Sequence, residues 1–163
     1  MEKIVKEIGD ILSMNGLTIG TAESCTSGLI SAALASQDGA SRYFRGGIVS
    51  YATDLKTSLL DVGVNTIRDN DVVSAQVAQQ MALGAIYKLK VDVSVAITGY
   101  AGATGGSEKS PRGTIWICVG SNIDGSISFD YKMLIVNGKR GENINIAIEA
   151  ALELVLKHLK EKL

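Results

Sequence analysis

The chain has 163 residues, with 17 acidic and 16 basic side chains and a formal net charge of −1. A chain of this length can bury about 70% of the surface that its unfolded form exposes, which is enough for one domain with its own core. The near-neutral charge and the lack of a long apolar run exclude a broad nucleic-acid-binding face and a transmembrane span.

The two cysteines, Cys25 and Cys118, are too few for a disulfide scaffold and do not have metal-ligand spacing. The N-terminus lacks the charged-then-apolar layout of a secretory signal. We therefore expect a cytoplasmic protein that forms a single domain over residues 1–163. Its expected partner is a small molecule, not nucleic acid or a membrane.

The first half of the chain alternates helix and strand patterns. Apolar residues at helical spacing predict a helix from about residue 2 to about residue 14, with Gly16 as its stop. A short strand is predicted over residues 17–22, and an apolar helical stripe follows it. A second strand is predicted over residues 46–51, after which Thr53 is placed to cap a helix that carries Lys56 just inside it.

The second half continues in the same way. Ser74 is predicted to open a helix, and residues 91–97 then alternate as a buried strand. Further strands are predicted over residues 113–119 and 127–135. A long helix with its apolar stripe between Ile144 and Leu159 closes the chain.

Helices interleaved with strands predict an α/β fold, a three-layer α/β/α sandwich with a mixed, mostly parallel sheet of about five strands. The last two predicted strands are joined only by a short turn over residues 121–125 that contains Asn, Asp and Gly. Such a connection makes that pair antiparallel, so the sheet must be mixed.

The octet TAESCTSG at residues 21–28 places small polar residues between a strand and a helical pattern. Ser24 therefore falls at a predicted strand-to-helix turn, where free N–H groups of a helix start stabilise an oxyanion beside a hydroxyl nucleophile. The alternatives are that Ser24 is a simple helix N-cap and that Cys25, a second possible nucleophile, is a packed core residue. The single histidine, His158, lies on a predicted surface helix and offers Ser24 no base for a Ser-His-Asp triad.

Lys56 is the remaining base for Ser24, because a desolvated lysine activates serine in the Ser-Lys variants of acyl-transfer enzymes. Residues that follow the first three strands are expected to meet, since strand ends at one edge of an α/β sheet converge on a crevice. Tyr51 lies just before the helix of Lys56 and could orient a substrate or relay a proton. A solvated lysine and a tyrosine that only covers the sheet edge are the alternatives.

The segment TGYAGATGGSEKSPRG at residues 98–113 has four glycines in its first nine positions. Glycines let backbone amides approach a phosphate or an amide closely, whereas the alternative is a flexible connection. The spacing matches neither the dinucleotide-binding pattern nor the P-loop pattern, which disfavours a dinucleotide fold or an ATPase. Arg140, near the start of the last helix, could meet a phosphate or stay in water.

Five blocks follow one another along the chain: TAESCTSG at 21–28, GGIVSYATDLK at 46–56, VVSAQVAQQMALGA at 72–85, TGYAGATGGS at 98–107 and PRGTIW at 111–116. Their order and spacing resemble the C-terminal domain of CinA, the nicotinamide-nucleotide amidase family. The resemblance covers nearly the whole chain.

The resemblance implies deamidation of nicotinamide mononucleotide to nicotinate mononucleotide and ammonia, without a metal or another cofactor. It implies Ser24 as the nucleophile and Lys56 as its partner. We then expect the amides of Cys25 and Thr26 to stabilise the oxyanion, Tyr51 to line the ring pocket, and the chain to form a homo-oligomer. The residues expected to bind the rest of the substrate are Thr98, Gly99, Ala101, Gly102, Gly105, Gly106 and Arg140.

The chain departs from the family pattern in its candidate binding segments. Ser27, Thr53, Ala75 and Ala103 replace a glycine, an asparagine, a glutamate and a proline, respectively. The alternatives to a working amidase are a diverged paralogue that binds a pyridine nucleotide without turnover and a regulatory subunit.

Overall fold

A computed structural model describes residues 1–163 and contains five strands and six α-helices. The strands are β1 (Ile19–Glu23), β2 (Phe44–Val49), β3 (Val93–Gly99), β4 (Thr114–Ile123) and β5 (Ser126–Ile135). The helices are α1 (Glu2–Met14), α2 (Leu29–Leu34), α3 (Thr53–Leu60), α4 (Val64–Asn70), α5 (Ala75–Leu89) and α6 (Arg140–Lys162).

All five strands join one sheet in the order β2-β1-β3-β4-β5. β1 pairs in parallel with β2 and β3, whereas β4 pairs antiparallel with β3 and β5. Helices pack on both faces, α1, α2 and α6 on one and α3, α4 and α5 on the other. The predicted three-layer sandwich with a mixed sheet is therefore confirmed, and β1, β2 and β3 all end at the same edge of the sheet.

The core has two parts, one on each face of the sheet. β3 contributes to both, because successive side chains of a strand point to opposite faces. Val93, Val95 and Ile97 pack with α1, α2 and α6, and Ala96 packs with α5. Residues 93–98 are all buried, as a strand covered by helices on both faces requires. None of the helices is both long enough and apolar enough to cross a bilayer.

Several boundaries differ from the sequence prediction. β4 runs to Ile123 and not to residue 119, so only residues 124 and 125 form the turn before β5. β1 begins at Ile19, β2 spans Phe44–Val49, and α4 was not predicted because its seven residues carry too short an apolar pattern. Thr53 is the first residue of α3 and not its cap, since Ala52 holds the extended N-cap conformation and no side chain caps the helix.

The helix that carries His158 has an exposed face, as predicted, but His158 itself lies on the buried face of that helix and is fully buried. Its Nδ1 lies 2.6 Å from Asp130 Oδ2 and its Nε2 lies 2.8 Å from Ser121 Oγ. The helical spacing already contains this signal, because His158 lies three residues after Val155 on the apolar stripe of α6. Ser121 pairs with the first residue of β3, so the cluster lies about 20 Å from the strand ends beside Ser24.

Candidate active site

A cavity of about 310 Å³ lies at the edge of the sheet where β1, β2 and β3 end. Ser24 follows β1, Tyr51 follows β2, and Gly99 ends β3. The predicted site residues that line it are Ser24, Cys25, Tyr51, Lys56, Thr98, Gly99, Ala101, Gly102 and Arg140. The convergence of strand ends brings these residues together from distant parts of the chain.

Ser24 and Lys56 are in direct contact at the floor of this cavity. Lys56 Nζ lies 3.0 Å from Ser24 Oγ, 2.6 Å from the carbonyl oxygen of Ser50 and 3.5 Å from that of Tyr51. The Lys56 side chain is 1% exposed and forms no ion pair. The side chain of Lys56 points from the first turn of α3 into the protein. Lys56 is therefore not a solvated helix lysine, which was the alternative.

Burial lowers the pKa of Lys56 from its ordinary 10.5 to about 8, because the ammonium form loses its hydration. At pH 7 about a tenth of such amines are neutral, compared with fewer than about one in a thousand at the ordinary pKa. A neutral amine is the form that accepts a proton, so the site holds a base next to the Ser24 hydroxyl.

Ser24 lies in a turn over residues 24–28 and not at a helix start, which corrects the sequence prediction. The helix α2 begins five residues later, with Gly28 as its N-cap at φ 96°. The buried carboxylate of Glu23 occupies the end of that helix. It accepts hydrogen bonds from the backbone amides of Gly28, Ile30 and Ser31 and from the hydroxyls of Thr21, Thr26 and Ser31.

Replacing Glu23 with glutamine is expected to destabilise the protein by about 2–4 kcal/mol. The amide would turn one acceptor oxygen into a donor that faces N–H and O–H groups, leaving buried donors without partners. The free energy of unfolding from urea titration measures this change. Glu149→Gln is the matched control, since Glu149 is exposed, and we expect its effect to stay within about 0.5 kcal/mol. Equal effects of the two substitutions would contradict the assigned role of Glu23.

The amides expected to form the oxyanion hole belong to this turn. Neither the Cys25 N–H nor the Thr26 N–H donates a hydrogen bond within the chain. Cys25 lines the cavity, whereas Thr26, which was also predicted to contact the substrate, lies outside the lining. Its side chain is fully buried and donates a hydrogen bond to Glu23. Burial raises the pKa of the Cys25 thiol to about 11, which keeps it neutral.

The glycine-rich loop contributes its first residues to the cavity. Thr98, Gly99, Ala101 and Gly102 line it, and the Thr98 hydroxyl donates to the carbonyl oxygen of Val72. The predicted binding residues Gly105 and Gly106 lie outside the lining. Their φ angles of 100° and 99° show that the loop needs glycine there for its own course.

Arg140 and Tyr51 close the other side of the cavity. Arg140 is the first residue of α6, and its Nη2 donates a 3.0 Å hydrogen bond to the Tyr51 hydroxyl. A Cβ at Gly102 would lie 3.3 Å from Arg140 Nη1, so the guanidinium lies directly beside the loop. The cavity thus has one cationic wall.

Five other lining residues were not predicted to bind the substrate: Thr53, Val72, Val73, Tyr100 and Thr104. The sequence had indicated Thr53 only as a helix cap and as a departure from the family pattern. The two valines precede the Ser74 cap and carry no chemical signature. Tyr100 belongs to the glycine-rich loop, but the glycines around it predict contacts through the backbone and give no signal for its side chain. No three His, Cys, Asp or Glu side chains are grouped as a metal ion would require.

The fold and this contact define a three-layer α/β protein with a buried serine–lysine pair at the carboxyl edge of its sheet. The chain belongs to the CinA family, because residues 1–159 match the CinA C-terminal domain.

Named relatives and solved structures agree with this assignment. A CinA-like protein of Chlorobium limicola is 40% identical over 155 residues, which are 94% of this chain and 36% of that protein. A CinA-like protein of Thermotoga neapolitana is 35% identical over 161 residues, covering 99% of this chain and 38% of that protein. The chain therefore spans little more than a third of these relatives.

Solved structures match the chain over almost their full length. The competence damage-inducible protein A (ComA) of Klebsiella pneumoniae superimposes with a TM-score of 0.91 at 28% identity, covering 99% of this chain and 98% of that one. The competence/damage inducible protein CihA of Agrobacterium tumefaciens superimposes with a TM-score of 0.88 at 35% identity, covering 98% and 94%. The whole domain fold is thus shared with these proteins.

Proposed function

We propose that this protein is an amidohydrolase that deamidates nicotinamide mononucleotide to nicotinate mononucleotide and ammonia. The observation that carries the proposal is the 3.0 Å contact between Ser24 Oγ and the buried Lys56 Nζ. It pairs a hydroxyl nucleophile with an amine whose pKa is lowered to about 8. Such a pair is suited to acyl transfer.

The hydrogen bonds of Lys56 allow its neutral amine to act as the base. A neutral amine has two N–H donors and one lone pair. The carbonyl oxygens of Ser50 and Tyr51 accept the two N–H groups, at 2.6 Å and 3.5 Å. In the ammonium form Nζ also donates to Ser24 Oγ, at 3.0 Å. Once Nζ has lost that proton, its lone pair takes the place of this donor and accepts the proton of the Ser24 hydroxyl.

The reaction proceeds through an acyl-enzyme. Ser24 Oγ attacks the carboxamide carbon while Lys56 takes its proton, and the amides of Cys25 and Thr26 stabilise the oxyanion. One such donor contributes about 3 kcal/mol in the transition state. Lys56 passes the proton to the departing ammonia as the C–N bond breaks. Water then attacks the ester carbon, giving nicotinate mononucleotide and free Ser24.

The walls of the cavity fit the other parts of this substrate. The guanidinium of Arg140 beside Gly102 suits a phosphate, because guanidinium and phosphate form paired hydrogen bonds. Tyr51 lines the cavity and is 56% exposed, so its ring is available to a substrate ring. A volume of about 310 Å³ is of the size that small ligands occupy.

Ammonia release from nicotinamide mononucleotide, measured from about pH 6 to about pH 10, tests the proposal. Because the active form of Lys56 is neutral, kcat/KM should rise about tenfold per pH unit at low pH. It should level off above the pKa of Lys56, which is about 8. A rate that falls as the pH rises through this value would contradict a lysine base.

Calorimetric titration with nicotinamide mononucleotide separates the remaining possibilities. Saturable binding without ammonia release would instead support a paralogue that binds the nucleotide without turnover. If the nucleotide does not bind and no ammonia is released, the proposed substrate is refuted.

A further inference from the structure

Asp71, at the end of α4, forms side-chain hydrogen bonds with the glycine-rich loop over residues 98–113. It follows the last residue of α4, and its carboxylate accepts a 3.0 Å hydrogen bond from the Tyr100 hydroxyl and another from the Ser107 hydroxyl. The same carboxylate accepts the backbone amide of Val73 at 3.0 Å. We propose that Asp71 is a positioning residue, whose carboxylate holds the glycine-rich loop in place over the Ser24–Lys56 pair. This inference rests on the proposed function of that cavity.

The backbone of Asp71 supports a specific role for this side chain. Its φ of 80° and ψ of 151° are in a region that residues with a Cβ avoid and that glycine adopts freely. The surrounding contacts must therefore hold the residue in this conformation. Its backbone amide donates a hydrogen bond to the carbonyl oxygen of Ile67, and its carboxylate accepts the three hydrogen bonds described above.

The other bonds between residues 69–73 and the loop use backbone oxygens. The carbonyl oxygen of Val72 accepts from the Thr98 hydroxyl at 3.0 Å, and that of Val73 accepts from the Ser110 hydroxyl at 2.6 Å. The carbonyl oxygen of Asp69 accepts from Lys109 Nζ at 2.5 Å. Asp71 is therefore the one residue of this segment whose side chain bonds the loop, and a substitution there tests the connection directly.

The connection forms one wall of the cavity, since Val72, Val73 and Tyr100 all line it. Burial, followed by the hydrogen bond to Asp71, raises the pKa of Tyr100 to about 12. Tyr100 consequently keeps its proton and stays a donor to Asp71 throughout the working pH range. A loop released from Asp71 would move this wall away from the substrate, while the contact between Ser24 and Lys56 would remain.

Asp71→Gly removes the carboxylate and adopts the same backbone without strain, so the fold is retained. The backbone strain relieved at residue 71 offsets part of the loss of these hydrogen bonds, so thermal unfolding should show only a small loss of stability. Trypsin can cleave after Lys109 or Arg112, which are both exposed. In Asp71→Gly this cleavage should be about tenfold faster than in the wild type, as expected when hydrogen bonds to a charged group are lost. KM for nicotinamide mononucleotide should rise about tenfold, with kcat changed by less than about twofold.

Two further variants separate the carboxylate from backbone flexibility. Tyr100→Phe removes a donor and leaves Asp71 unchanged, so cleavage should again be faster, and the double variant should show less than the product of the two effects. Asp71→Asn keeps a Cβ and one acceptor oxygen and should give an intermediate rate. Asp69→Ala is the matched control, because only its backbone oxygen bonds the loop, and its cleavage rate and KM should equal those of the wild type.

Cleavage of the loop in Asp71→Gly at the wild-type rate would overturn the inference. An unchanged KM in an active enzyme would overturn it as well. If the wild type releases no ammonia, the proposed function fails, and the proteolysis of the loop still decides whether Asp71 holds it.

Discussion

Ser24→Ala is expected to lower kcat for ammonia release from nicotinamide mononucleotide by at least about 10⁴-fold. The substitution removes the oxygen that would form the acyl-enzyme, and no second nucleophile lies in place of it. The Cys25 thiol next to it has its pKa raised to about 11 and stays neutral near pH 7. A coupled assay for ammonia measures the loss.

The fold should survive this substitution, since Ser24 Oγ bonds only Lys56 and Ser24 is 8% exposed. Ser36→Ala is the control, because Ser36 is exposed beyond α2 and its hydroxyl bonds only a backbone oxygen. Wild-type activity is expected for it. Undiminished ammonia release by folded Ser24→Ala would refute the serine mechanism.

Lys56→Met is expected to lower kcat by about 10²–10⁴-fold, the range that general acid–base groups contribute. Methionine keeps an unbranched apolar stem in the buried channel but carries no basic nitrogen. The serine would then lose both its base and the donor that protonates ammonia. The pH dependence of the remaining rate should no longer show a step near the pKa of Lys56, which is about 8.

Lys56→Arg distinguishes proton transfer from positive charge. A guanidinium stays protonated at every accessible pH, so this variant should be as inactive as Lys56→Met. Lys3→Ala provides the control, as Lys3 is an exposed residue of α1. Activity of Lys56→Arg near the wild-type level would show that charge, and not proton transfer, is the contribution of Lys56.

The two catalytic predictions depend on different features of the fold. Ser24 is held by a turn that Glu23 organises, through six hydrogen bonds to its carboxylate. Lys56 reaches the serine from the first turn of α3. Loss of the turn would therefore displace the nucleophile and leave the base in place, which makes Glu23→Gln a test of positioning as well as stability.

Local patterns in the sequence determined the architecture. The alternation of residues 91–97 predicted a buried strand, and the apolar stripe from Ile144 to Leu159 predicted the closing helix, because the periods of strands and helices are properties of adjacent residues. The strand ends that these patterns define were sufficient to expect Ser24 and Lys56 at one edge of the sheet.

Only the tertiary structure decided which side chains from separate parts of the chain form hydrogen bonds with one another. The Glu23 carboxylate accepts the hydrogen bonds of backbone amides at the start of α2, and His158 lies 2.6 Å from Asp130 of β5. Asp71 bonds Tyr100 and Ser107, which lie 29 and 36 residues further along the chain. The physical reason is that sequence periodicity shows which face of an element is buried, whereas a hydrogen bond requires the register and orientation of two elements packed together.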